Sequence, residues 1–261
     1  MNKSILLSNH GGIAIITFNR PEAMNTFNPQ LADELIAATQ QVATDTTMRA
    51  VILNGAGKMF MAGGDIHYFH ESLSAMPKGV RAMVNLLHSS VTTLMTMPKP
   101  VLASVHGSVA GAGASLMMAC DLVISAQQTK FSMAYSGIGV SPDGGATFNL
   151  PRLVGTKKAM EWLLFSDAFD AEQAKAHGLI NWVVPEEILQ EKTMQIANHL
   201  AKGPSEAYAR IKKLVNSAWN NNLETQLAHE CDAFEYCTAT NDFKAGVSGF
   251  ISKKKPVFEG R

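Results

Sequence analysis

The sequence predicts an α/β protein, a body of short buried strands alternating with amphipathic helices and then an all-helical C-terminal region. Three observations carry this. Short apolar runs rich in β-branched residues, such as 50–53 and 101–105, are bounded by turn residues. Longer stretches with apolar side chains at helical spacing lie between them, which is the order of an α/β architecture. Past Pro185 only the helical spacing remains.

Taken in order, residues 5–18 alternate around His10-Gly11-Gly12, a β-hairpin pattern. Asn28-Pro29 supplies an N-cap and a proline at the first helical position, and Leu31, Leu35, Ala38 and Val42 follow on one face. The run 50–53 is a buried strand that ends at Asn54-Gly55. A second round starts near Gly79. There Met83, Leu87, Val91 and Leu94 mark a helix face, and Pro98-Lys99-Pro100 stops it. A strand over 101–105 leads through His106-Gly107 into a glycine–alanine stretch that opens a helix. Short strands follow at 122–125 and 130–133, and Ser141-Pro142-Asp143-Gly144-Gly145 opens another helix. Beyond Pro185, Ala207, Ile211, Leu214 and Ala218 share one face, and Leu223, Leu227, Cys231 and Phe234 share another. The chain divides softly into 1–199, the body with the ligand site, and 200–261, a helical region. Two or three helices have no core of their own, so this region must pack on the body or on another subunit.

At 261 residues, with 46% apolar and 17% charged, the chain has enough to bury a large core. Lysine plus arginine equals aspartate plus glutamate, 22 each, so no long-range field draws in a polyanion. Nucleic acid is not an expected partner. No apolar run reaches the about 20 residues that cross a bilayer, and MNKSILLSNHGG lacks a signal-peptide apolar region. Cys120, Cys231 and Cys237 lack metal-type spacing and read as small core hydrophobes in a reducing compartment. The expectation is a cytoplasmic protein with no membrane partner.

Three segments offer chemistry. In the first, Ala62-Gly63-Gly64-Asp65-Ile66, small side chains let a ligand reach the main chain. In the second, residues 107–116, a strand passes through Gly111-Ala112-Gly113 into a helix, whose first N–H groups favour developing negative charge. The third, Pro142-Asp143-Gly144-Gly145, sets a carboxylate on a tight turn, where aspartate is ordinarily an N-cap. Two nucleotide motifs fail. Gly55-Ala56-Gly57-Lys58 has Ile52 where a P-loop needs its first glycine, and Met59 where it needs serine or threonine. Gly111-Ala112-Gly113 has Leu116 where a dinucleotide fingerprint needs its third glycine. His67 and His70 lie three apart without a third ligand, so no metal site is expected.

The order of these segments resembles the crotonase superfamily, also called the enoyl-CoA hydratase/isomerase family, along essentially the whole chain. The resemblance includes Asn19-Arg20-Pro21 with Met24-Asn25, Ala62 to Asp65, His106-Gly107 leading into Gly111 to Gly113, and Phe131. It continues through Pro142 to Gly145, Leu150-Pro151-Arg152 with Gly155, and Ala174 to Leu179. It implies a crotonase-like spiral of ββα repeats with a C-terminal helical trimerisation region, and a homotrimer or homohexamer. It implies an acyl-CoA thioester as substrate, no permanently bound cofactor, and an oxyanion hole made by the N–H groups of Gly64 and Ala112. CoA contacts are implied at Arg20, Ala23, Met24, Ala62, Gly63, Asp65 and Ile66, and at Lys255 and Phe258 in the tail, after Lys253-Lys254. Ser115, Tyr135, Met117 and Phe131 are implied to line the acyl pocket, to which Met59, Met61, Met118 and Met133 also lie near in sequence.

One departure decides the chemistry. The two glutamates that handle water in family hydratases map onto Ser115 and Tyr135, and a tyrosine with a reference pKa of about 10 is a poor base. Asp143 remains, where some family isomerases carry an aspartate, and an apolar wall of Phe131, Met133 and Tyr135 would raise its pKa. The wording is nearest to isomerases of phenylacetate breakdown. The expectation is therefore enoyl-CoA double-bond isomerisation with Asp143 as proton shuttle. Alternatives are an enoyl-CoA hydratase with an atypical site, or a hydrolase or dehalogenase with Asp143 as nucleophile, although the sequence displays no activating partner. Ser115 as a hydrolytic nucleophile lacks the Gly-x-Ser-x-Gly elbow. A non-enzymatic RNA- or partner-binding scaffold has no basic patch behind it.

Overall fold

The structure, a computed structural model, describes residues 3–74 and 76–261. Strands β1 (Ile5–His10) and β2 (Ile13–Phe18) form an antiparallel hairpin whose turn, Gly11 and Gly12, has φ of 61° and 87°. Positive φ at both turn positions matches the strand twist, and glycine adopts it without strain. Helix α1 (Pro29–Thr44) is capped by the Asn28 side chain, which accepts the Leu31 N–H at 2.9 Å, and it buries Leu31, Leu35, Ala38 and Val42. Then come β3 (Ala50–Gly55), α2 (Ile66–Glu71) and α3 (Met76–Thr96), with Met83, Leu87, Val91 and Leu94 buried. The next round is β4 (Val101–Val105), β5 (Ser108–Ala110) and α4 (Ala112–Met118). After it come β6 (Leu122–Ala126), β7 (Lys130–Ser132) and α5 (Ala146–Val154). The chain continues through α6 (Thr156–Phe165), β8 (Phe169–Asp170), α7 (Ala171–Ala176) and β9 (Trp182–Val184). It finishes with α8 (Glu186–Ala201), α9 (Ser205–Ser217), α10 (Leu223–Thr238) and α11 (Asn241–Ser252).

The strands build a six-stranded sheet in the order β1-β2-β3-β4-β6-β9 and a three-stranded sheet in the order β5-β7-β8. From β2 to β9 the larger sheet is parallel. Each turn of chain gives a strand to the larger sheet, a shorter contact to the smaller one, and then a helix. The pairs β4–β5 and β6–β7 show this with α4 and α5. The earlier turns contribute the Met61–Val109 and Phe27–Gly64 bridges in place of full strands. This is the spiral of ββα repeats expected from sequence. It stacks the segments that follow successive long strands next to one another.

Both faces of the larger sheet are covered, so its strands read as unbroken apolar runs. Val51, Leu53, Val101, Ala103 and Val105 point into the main core, while Ile13, Ala50, Ile52, Leu102 and Ile124 meet Leu189, Ala197 and Ala201 of α8. Each fully buried leucine or isoleucine there contributes about 1.5–3 kcal/mol.

The helical region departs from the sequence expectation in two places. In α9 the expected face included Ile211, but Ile211 is exposed and its neighbour Lys212 is buried. The Lys212 ammonium donates to the carbonyls of Leu94 (2.6 Å) and Lys99 (3.1 Å) and pairs with Asp121 at 2.8 Å, so polar groups at the end of α3 select that face. In α10 the face of Leu223, Leu227 and Phe234 lies exposed on this single chain. The cysteines also differ from expectation. All three are free thiols, Cys231 is exposed, and Cys120 and Cys237 are half-buried. The tail folds back: the buried Asp242 carboxylate accepts the N–H groups of Glu259 (2.7 Å) and Gly260 (2.9 Å), and Arg49 donates to the carbonyls of Gly203 and Phe258. Among the described residues no helix is long and apolar enough to cross a membrane.

Candidate active site

The spiral brings the first two glycine-rich segments side by side. The Met61 N–H donates to the Ser108 carbonyl at 3.1 Å, and the Ala110 N–H donates back to Met61 at 2.9 Å. A methyl group on Gly113 would stand 2.6 Å from the Met61 carbonyl oxygen, so α4 packs directly on that strand-like stretch. Gly63 (φ 104°) and Gly111 (φ 48°) also approach closely: a Cβ on Gly111 would meet Gly63 Cα at 3.5 Å. Only glycine combines such φ values with this proximity. Among the described residues, neither the Gly64 N–H nor the Ala112 N–H has a protein acceptor. Ala112 is the first residue of α4, where helical N–H groups are left over.

The turn that precedes these segments is braced from inside. Asn25, at φ 55°, accepts the Arg20 N–H at 2.8 Å, and its amide donates to the carbonyls of Ala56 (2.9 Å) and Met59 (2.8 Å). Arg20 and Asp65 form an ion pair at 3.0 Å, and Asp65 also caps α2 by accepting the Tyr68 N–H at 3.2 Å. Burial raises the Asp65 pKa, but the Tyr68 N–H and the Arg20 guanidinium outweigh it and hold the carboxyl below the usual aspartate range. Both side chains are thus spent on holding the loop 62–66 against residues 20–27. Met24, at φ 54°, and Ile66 are exposed beside them.

Asp143 sits where α3, α4 and the start of α5 converge. The Asp143 carbonyl accepts the Ala146 N–H at 3.0 Å, while its side chain turns elsewhere: Oδ1 accepts the Tyr135 hydroxyl at 2.8 Å. The side chain is therefore not the N-cap of α5. Ser115, fully buried on α4, lies 2.7 Å from the Tyr135 hydroxyl and donates to the Asp143 carbonyl at 3.0 Å. Positive φ at Ala134 (59°) redirects the chain after β7 and precedes Tyr135. A Cβ built on Gly144 would stand 3.3 Å from Leu87 Cδ2, and one built on Gly145 would stand 3.6 Å from Val91 Cγ1, so α3 packs against this turn. Burial raises the Asp143 pKa above the usual carboxylate range, against the opposing pull of the Tyr135 hydroxyl and of His88.

Other expected site residues lie apart from this cluster or behind it. Phe131, Met117 and Met133 are fully buried in the main core, with Phe131 stacked on Phe169 at 5.7 Å between ring centroids. Phe258 lines an apolar cavity of about 420 Å³ between α9, α11 and the tail, and Lys255, earlier in the same tail, is exposed. His67 and His70 are exposed on α2, and among the described residues no three metal-ligating side chains cluster. His88 is the site residue that sequence reasoning missed. Leu87 and Val91 mark the core face of that helix, and in the folded chain their exposed neighbour His88 is near enough for its charge to act on Asp143.

The sequence model described as "Enoyl-CoA hydratase/isomerase" matches residues 8–261. The 1,2-epoxyphenylacetyl-CoA isomerase of Escherichia coli is 38% identical over 100% of this chain and 100% of its own length. The crotonyl-CoA hydratase of Syntrophomonas wolfei is 36% identical over 98% of each. The crystal structure of an enoyl-CoA hydratase from Polaromonas superposes with a TM-score of 0.94 at 32% identity, covering 98% of this chain and 99% of that one. The spiral is the crotonase fold, and this chain belongs to the enoyl-CoA hydratase/isomerase family.

Proposed function

We propose that this enzyme shifts the double bond of an enoyl-CoA thioester, with Asp143 as the proton shuttle and the N–H groups of Gly64 and Ala112 as an oxyanion hole. The observation that carries this reading is a half-buried carboxylate of raised pKa, tied through Ser115 to the helix that begins at Ala112. Ser115 lies one helical turn from Ala112, so the base and one donor belong to the same end of α4.

In a 3-enoyl thioester, Asp143 takes a proton from C2. The electron pair moves into a dienolate whose oxygen the two N–H groups hold, and the proton returns at C4. One C–H bond breaks and one forms, and neither water nor an oxidant is consumed. Donors preset for a developing oxyanion are worth about 3 kcal/mol of barrier each. A raised pKa brings the carboxyl nearer the working pH, where a proton shuttle is most effective.

CoA lies along Arg20, Ala23, Met24, Ala62, Gly63, Asp65 and Ile66 in this reading. The Arg20–Asp65 pair supports the loop, and the main chain makes the contact. Lys255 and Phe258 meet the nucleotide end, Tyr135 bounds the acyl group, and Ser115, Met117 and Phe131, all fully buried, back that wall from the core side. No cofactor is held permanently. The exposed apolar side chains of α10 and α11, including Phe234, Phe250 and Ile251, support a homotrimer or homohexamer. The proposed location is the cytoplasm.

Hydration is the second reading, favoured by the hydratase among the relatives. Offering the purified protein 2-enoyl- and 3-enoyl-CoA thioesters separates the two. Interconversion of the two enoyl thioesters supports isomerisation, and hydroxyacyl product formed faster than that interconversion overturns it.

A further inference from the structure

Asp143 is one corner of a triangle of close polar contacts. The Tyr135 hydroxyl is 2.8 Å from Asp143 Oδ1 and 2.7 Å from Ser115 Oγ, and Ser115 Oγ is 3.0 Å from the Asp143 carbonyl. The protons in this triangle can be counted. An ionised carboxylate has none to give, so the one phenolic proton points to Oδ1, and the serine proton goes to the phenol oxygen or the Asp143 carbonyl. Either serine bond braces the same turn. Ser115 is fully buried and Tyr135 nearly so, and neither can turn away without leaving a buried polar group unpaired. Burial, reinforced by the Asp143 charge, also pushes the Tyr135 phenol far above its ordinary range, so it remains a donor and is not itself a base.

We infer that Tyr135, backed by Ser115, is the positioning residue that occupies Oδ1 of Asp143 and reserves Oδ2 for carrying the substrate proton. The inference rests on the isomerase reading. A shuttle must release its proton at a carbon two atoms from the one that supplied it, without losing alignment between the steps. A carboxylate free to rotate would present either oxygen at either carbon. With Oδ1 held, the carried proton stays on Oδ2 and travels one short arc, the orientation that proximity catalysis requires. The C2–H bond breaks as the Oδ2–H bond forms, the pair entering the dienolate; the Oδ2–H bond then breaks as the C4–H bond forms. The Tyr135 bond also favours the ionised form of Asp143. Of the other described elements packed here, α3 presents His88 and α4 presents only the Ser115 hydroxyl.

The test compares full-length Tyr135→Phe, Ser115→Ala and Asp143→Asn with the parent enzyme on a 3-enoyl-CoA thioester across pH. Tyr135→Phe is expected to lower kcat at least about tenfold with KM within about twofold, the effect of losing a hydrogen bond to a charged group. The acid limb of its kcat profile moves to higher pH, because the ionised carboxylate has lost a donor. Ser115→Ala shifts both readouts in the same direction by less, and it carries the comparison alone if the phenylalanine variant does not fold. An unmoved acid limb and unchanged kcat in these variants, with Asp143→Asn inactive, overturns the positioning role and leaves the shuttle intact. Full turnover by Asp143→Asn overturns the shuttle itself.

Discussion

Gly144 and Ser115 stand so close that a methyl group added to Gly144 would lie 2.7 Å from Ser115 Cβ. The turn that carries Asp143 and the helix that begins at Ala112 are therefore in direct contact, and the position of the carboxylate is set by that contact.

Gly144→Ala tests the contact. The residue has φ of 57°, which costs a non-glycine about 1 kcal/mol, and the new methyl group must push α4 or the turn aside. We expect a loss of about 2–3 kcal/mol in urea unfolding and a fall in kcat larger than the change in KM. Parent-like stability and activity would mean that α4 and the turn are not locked together.

Asp143 has an opposite signature in stability. A carboxyl whose pKa rises on folding stabilises the protein while protonated, and that contribution is lost as pH climbs through the raised value. Burial is the main cause here, so the charged form is the disfavoured one at neutral pH. Asp143→Asn should then melt above the parent at pH 7, with the gap closing as pH falls below about 4, the ordinary aspartate range. A lower melting temperature at pH 7 would contradict the burial account.

Lys212 anchors α9 to the body. Its side chain is 7% exposed, and its ammonium meets two carbonyls and Asp121. Lys212→Ala leaves Asp121 unpaired and should cost about 3–5 kcal/mol in urea unfolding. The double variant Lys212→Met, Asp121→Asn should recover part of that loss. No difference between the single and double variants would mean that the ion pair is not the anchor.

Much of this fold was legible locally. The Gly11-Gly12 hairpin, the Asn28-Pro29 cap and the strands at 50–53 and 101–105 depend on neighbours in sequence, and all appear where the patterns set them. Strands β5, β8 and β9 are two or three residues long, too short to display a period, and they exist because the spiral supplies partners. Helical spacing also identifies an apolar face without saying what covers it, as Ile211 and Phe234 show. In the site, the glycine segments and Asp143 stood out by their turns. The hydroxyl that holds Asp143 did not: by sequence Tyr135 is part of an apolar wall, and its bond to Oδ1 exists only after β7 and the α5 start are brought together. His88 was hidden for the same reason, one position from a core residue on a helix far away in sequence.

The central claim is that one carboxylate moves the proton. Turnover of a 3-enoyl-CoA thioester by Asp143→Asn, with folding checked by circular dichroism, tests it most directly. The account predicts a kcat at least about 100-fold below the parent with KM nearly unchanged, the usual contribution of a general base. A folded Asp143→Asn enzyme that isomerises the thioester at the parent rate would contradict it.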